Sequence, residues 1–113
     1  MSGVEVREWG KRGVLVELRG EFDRHDLGGL GEVLSDVTAL RRPTLVDLSG
    51  VTFLDAGTIR ELAIRSQLCA NHLTLVNPSW QVRASARACG VGAWLDFRTD
   101  ANATSALPER GTL

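Results

Sequence analysis

Thr44-Leu45-Val46-Asp47-Leu48-Ser49-Gly50-Val51-Thr52-Phe53-Leu54-Asp55 is the stretch whose reading decides the fold. Thr44–Leu48 is apolar and β-branched, the composition of a strand buried on both faces. Asp47 is the exception, and a carboxylate in such a strand must reach a strand end or be hydrogen-bonded. Ser49-Gly50 predicts a turn. Val51–Leu54 then leads to Asp55, after which Ile59, Leu62, Ala63 and Ser66 recur at helical spacing with Arg60, Glu61 and Arg65 on other faces. A buried strand feeding a helix is the unit of a parallel sheet.

Working toward the N-terminus, Leu27, Leu30, Leu34, Val37 and Leu40 form one apolar stripe at spacings of three and four, stopped by Arg41-Arg42-Pro43. The polar cluster Asp23–Asp26 supplies a cap near Asp26 or Leu27. Gly28, Gly29 and Gly31 each cost up to ~1 kcal/mol against Ala in a helix, so a frayed or late start is expected. Val4–Trp9 alternates with period two, Gly10–Gly13 is a turn, and Val14–Leu18 resumes as a strand that Gly20 ends: a hairpin. Toward the C-terminus, Leu73–Val76 is a short buried strand closed by Asn77-Pro78. Ser79 is the N-cap of a helix through Val82, Ala86 and Cys89, ended by Gly90. Trp94, Leu95 and Phe97 predict a last short strand, and Thr99–Leu113 a short terminal helix around Ala101–Leu107 or a tail. The fold class expected is α/β, a mixed, mostly parallel sheet with an N-terminal hairpin and helices packed against it, in a single domain over residues 1–113 with its core at about 4–98.

The composition is that of an ordinary globular protein, 43% hydrophobic and 24% charged over 113 residues. A formal net charge of −1 provides no basic footprint for nucleic acid or an anionic membrane. All basic residues except Lys11 are arginine and tyrosine is absent, a bias of GC-rich coding sequence. Met1–Gly13 has no apolar core of a signal peptide and no apolar run approaches the ~20 residues of a spanning helix, so a cytoplasmic location is expected. Cys69 and Cys89 fall in helical segments without metal-binding spacing, and packing is the role expected of both.

Three stretches together resemble one family, the STAS domains of the anti-sigma factor antagonist type. They are Gly20-Glu21-Phe22-Asp23 with Arg24-His25, then Leu45–Asp55, then Ala88-Cys89-Gly90-Val91, and the likeness spans roughly residues 4 to 98. The resemblance implies a bacterial regulatory module that binds a cognate anti-sigma factor of the serine/threonine kinase type and so regulates sigma-dependent transcription. In that family the aspartate opening the second helix is followed by two serines and a glycine, and the kinase phosphorylates the second serine to release the complex. Asp55 matches the aspartate. Ala56 stands at the first serine, Gly57 at the phosphoacceptor and Thr58 at the glycine, so the acceptor hydroxyl is absent at the matching position. Asp23 matches an aspartate on the loop facing that site. The partner-binding set the resemblance implies is Asp23, Asp55, Ala56, Gly57 and Thr58.

The residues also admit plainer roles. Thr58 is the one hydroxyl of the turn and thus a displaced phosphoacceptor candidate; Thr58-Ile59-Arg60-Glu61 equally fits a capping box, and Asp55 fits a cap with Thr58 three residues on. Asp23 fits a turn or N-cap aspartate. His25 beside Asp23 and Asp26 has no third ligand at a recognised spacing, so no metal is expected. Trp9, Trp80 and Trp94 are too dispersed to stack nucleic-acid bases, though Trp80, early in its helix, is placed to join a surface contact. Without a phosphate loop, nucleophile–base pair or spaced carboxylate pair, the chain does not read as an enzyme, and no cofactor is called for. The alternative function is a phosphorylation-independent STAS scaffold subunit in a stressosome-like or lipid-transport assembly. A homodimer is left open.

Overall fold

The computed structural model describes residues 2–69, 72–91 and 97–98. The elements run β1 (Ser2–Trp9), β2 (Gly13–Phe22), α1 (Leu27–Ala39), β3 (Thr44–Leu54), α2 (Ala56–Leu68), β4 (Leu73–Val76), α3 (Trp80–Ala88) and β5 (Phe97–Arg98). They form one sheet of order β1-β2-β3-β4-β5, antiparallel between β1 and β2 and parallel thereafter. Sequential parallel strands joined by crossovers of one hand place every helix on the same face. Buried residues of all three helices accordingly join one cluster with the strands, including Leu30 and Leu34 of α1, Ile59 and Leu62 of α2, Val82 and Ala86 of α3, and Val16, Val46 and Leu75 beneath them. Cys69 and Cys89 are half-buried against this cluster.

Two glycines act differently from the sequence expectation. Ser49-Gly50 is not a turn: β3 runs unbroken from Thr44 to Leu54. The register against β2 slips there, Glu17 pairing with Asp47 but Arg19 with Gly50, which is a bulge. A Cβ on Gly50 would lie 2.8 Å from Arg19 Cγ and 3.4 Å from the Leu18 carbonyl oxygen, so the close approach of β2 requires glycine. Asp47 satisfies its carboxylate locally, accepting from the Ser49 N–H at 2.9 Å. Nor does Gly20 end β2, which continues to Phe22; with φ +85° it carries a second register slip instead.

The helices hold other surprises. α1 starts at Leu27 despite its glycines, because Gly28 and Gly29 are exposed and the stripe Leu30, Leu34 and Val37 holds the helix down. Leu40, the last member of the expected stripe, lies past the helix and is exposed. α3 is capped by Ser79, whose hydroxyl accepts from the Val82 N–H at 3.3 Å and donates to the Val51 carbonyl at 2.6 Å. Gly90 follows with φ +71°. β5 supplies Phe97 of the expected last strand; Trp94, Leu95 and the segment Thr99–Leu113 lie outside the described residues.

Candidate partner-binding site

At the C-terminal ends of β2 and β3 the chain twice leaves the sheet to start a helix, and the two exits are tied together. The Asp55 N–H donates to the Phe22 carbonyl at 3.1 Å, which sets Asp23 and Asp55 at the ends of neighbouring strands. Asp55 has extended backbone (φ −81°, ψ 173°), and its carboxylate accepts from the Thr58 N–H at 2.8 Å. It is therefore the N-cap, and the helix begins at Ala56. Thr58 lies three residues inside, so the capping box led by Thr58 does not form. Glu61, its would-be partner, pairs with Arg65 at 2.6 Å instead.

The helix phase then decides what each residue of the turn presents. Ala56 is exposed and Gly57 half-buried, whereas Thr58 is 0% exposed with its Oγ1 among the buried atoms that lack a hydrogen-bond partner. A Cβ on Gly57 would meet only Leu27 Cδ2 at 3.6 Å and Asp55 Oδ1 at 3.7 Å, ordinary contacts, and the residue is not among those with positive φ. Nothing in the backbone demands glycine there. The same Leu27 contact shows that the first residue of α1 leans on the first turn of α2.

Asp23 is exposed on the adjoining loop. Its carboxylate accepts from the His25 N–H at 2.8 Å, and its own N–H donates to Asp26 Oδ2 at 3.0 Å. The loop is thus an Asx-type turn that holds its shape through its own aspartates. Asp26 also accepts from the Ser2 hydroxyl at 2.7 Å, and these donors, the Asp23 N–H first, hold its carboxyl below the usual aspartate range. Among the described residues, no three His, Cys, Asp or Glu side chains form a group able to hold a metal ion.

A family model described as Mlab, STAS domain, matches residues 6–97. The chain belongs to the STAS domain family. Among solved structures, the STAS domain is similar to an anti-sigma factor antagonist from Mycobacterium paratuberculosis, at 21% identity and TM-score 0.79 over 95% of this chain and 94% of that one. It is also similar to the anti-sigma factor antagonist SpoIIAA in its unphosphorylated form, at 19% identity and TM-score 0.61 over 91% and 94% of the two chains. The phosphorylated form of SpoIIAA, a Bacillus cell fate determinant, aligns at 18% identity and TM-score 0.65 over 91% and 97%. No curated protein matches the chain. No helix among the described residues is long and apolar enough to cross a membrane.

Around this turn lie exposed apolar side chains outside the partner-binding set expected from the sequence. Ile64 and Leu68, one helical turn apart on α2, are 47% and 78% exposed. Phe53 and Trp80 are also exposed, and α3 is pinned beside the end of β3 by the Ser79–Val51 bond and a 3.1 Å bond from the Ser85 hydroxyl to the Leu54 carbonyl. The signal for Ile64 and Leu68 was present: both are out of phase with Ile59, Leu62 and Ala63, and apolar residues off the core stripe of a helix face water unless a partner covers them.

Proposed function

We propose that this STAS domain is an anti-sigma factor antagonist that docks a cognate kinase-type anti-sigma factor through the Asp23 loop and α2, without the phosphorylation switch of its family. The carrying observation is the paired exit at the ends of β2 and β3, which places exposed Asp23 beside the start of α2, with Ile64 and Leu68 continuing along the helix. Binding there needs no catalytic group, in keeping with a regulatory module rather than an enzyme. A buried hydroxyl is out of reach of a kinase unless the first turn of α2 opens, and Thr58 is the one hydroxyl in that turn. Gly57 supplies none.

The test is titration calorimetry of the purified domain against the anti-sigma kinases of its host, followed by incubation with ATP and mass spectrometry. The expected outcome is a complex with one of them and no phosphate on the wild-type chain or on Thr58→Val. Gly57→Ser, which the local space accommodates, should become phosphorylated by that kinase. Phosphate on Thr58 would overturn the missing switch, and failure to bind any host anti-sigma factor would overturn the antagonist role.

The same missing hydroxyl supports a second reading, a phosphorylation-independent scaffold subunit of a stressosome-like or lipid-transport assembly. Co-purification from the host separates the two: an anti-sigma factor in the complex supports the first, transporter or stressosome subunits the second.

A further inference from the structure

β1 is an eight-residue strand at the end of the sheet, paired only with β2 among the described residues. Its register against β2 runs from Ser2 to Trp9 without a slip, and Ser2 through Glu8 are all exposed. A regular strand with one unpaired row of N–H and C=O groups is a template for another strand. Of the devices that blunt such an edge, Ser2–Trp9 lacks proline, lysine and a bulge. It carries charged side chains of both signs, Glu5, Arg7 and Glu8, which repel an arbitrary strand but admit one of complementary charge. Val4 and Val6, on the helix side of the sheet opposite core residues Leu18 and Val16, remain 38% and 46% exposed.

We propose that this edge is a self-association surface, at which two copies of the chain pair their β1 strands antiparallel about Val6. An antiparallel pair of identical strands related by a two-fold axis places one residue opposite itself. With Val6 on the axis, Val6 meets Val6 on the helix side, and Glu5 of each copy faces Arg7 of the other on the opposite side. Shifting the axis by one residue sets Glu5 against Glu5 or Arg7 against Arg7, so the charges select the register.

The pairing extends an arrangement already inside the chain. Arg7 pairs with Glu17 at 2.7 Å and Arg19 with Glu5 at 3.1 Å, and both Arg7 and Glu5 keep about half of their side-chain surface in water. Across the dimer the row reads Glu17, Arg7, then Glu5 and Arg19 of the second copy, alternating in sign through four strands, and symmetry repeats it. The same register carries the exposed Lys11-Arg12 turn of the second copy past Ser2, whose hydroxyl holds Asp26. A basic turn thus approaches the acidic Asp23–Asp26 loop. The pairing uses neither Asp55 nor α2, and meets the antagonist reading only where the basic turn comes beside the Asp23 loop. A dimer measured on the isolated domain tests it without any anti-sigma factor.

Sedimentation velocity over a micromolar concentration series tests it. Wild type should show a concentration-dependent dimer, and Glu5→Arg and Arg7→Glu should each weaken it by about tenfold or more in Kd, because each turns two opposite-charge cross-strand pairs into like-charge pairs. An equimolar mixture of the two variants should recover the dimer as a heterodimer, seen by native mass spectrometry at the summed mass. That recovery cannot come from misfolding, and circular dichroism of each variant checks the fold directly. A wild type that stays monomeric, a dimer that neither reversal weakens, or variants that do not recover on mixing would each overturn the proposal.

Discussion

α1 and α2 each begin after an aspartate, Asp55 directly at the end of β3 and Asp26 at the close of the loop that follows β2, and the two aspartates have different tasks. Asp55 has extended backbone, which aims its carboxylate at the free N–H groups of the first helical turn, and it accepts from Thr58. Asp26 has helical backbone (φ −87°, ψ −14°) and makes no side-chain cap; its carboxylate turns back to the Asp23 N–H and the Ser2 hydroxyl. One aspartate closes a helix. The other closes a loop and ties it to the start of β1. Residue type alone does not distinguish them, because a single backbone torsion decides which donors a short carboxylate can reach.

The strongest challenge to this contrast comes from the core beneath the two starts. Ile59→Ala and Leu30→Ala each empty a fully buried position one turn into its helix and should each cost ~2–5 kcal/mol in urea denaturation. A cost confined to one of them would show that packing, not capping, separates the two starts. Next in size, Asp55→Ala should cost ~0.5–2 kcal/mol, with Asn restoring most of it. Asp26→Ala should lose less stability than Asp55→Ala in the same assay; the reverse order would break the comparison.

A pH series sharpens the contrast further. The Asp26 carboxyl sits below its unfolded range, held there chiefly by the Asp23 N–H and then by Ser2. Its stabilisation is therefore complete above the unfolded carboxylate range and is lost as pH falls through the lowered folded value. Glu8, lowered by its hydrogen bond and charge pairing with Arg42, contributes in the same direction. The thermal midpoint of Asp26→Asn should consequently fall less steeply than wild type on acidification from pH 6 toward about pH 3. The smallest effect is expected at Gly57, where alanine should raise stability by a few tenths to ~1 kcal/mol, read as a small upward shift of the thermal midpoint. A loss instead would mean that the contacts with Leu27 and Asp55 leave no room for a side chain.

The element order was legible because strand alternation and helical stripes are local periodicities, and the packed core agrees with both. Ser79 was legible as a cap for the same reason: its partner, Val82, is three residues away. Asp55 and Thr58 were legible only as alternatives. Each offers an oxygen at a helix start, and the choice rests on where the helix begins, which the burial of Thr58, Ile59, Leu62 and Ala63 determines. Gly20 and Gly50 read as breaks because glycine favours turns; in the fold they are the points where two strands slip register and come close.

By itself, then, the sequence determined the alternation of strands and helices, the apolar stripes that bind them into one layer, and the lack of a hydroxyl at position 57. These follow from residue chemistry and short-range spacing. Tertiary structure alone decided that Gly50 sits within a strand, that the Thr58 hydroxyl faces the core and that Ile64 and Leu68 face water. The exposed charges of β1 were likewise placed on a free edge by the assembled sheet. Each of these depends on which distant segment comes alongside, and that is a property of the packed chain rather than of any local stretch.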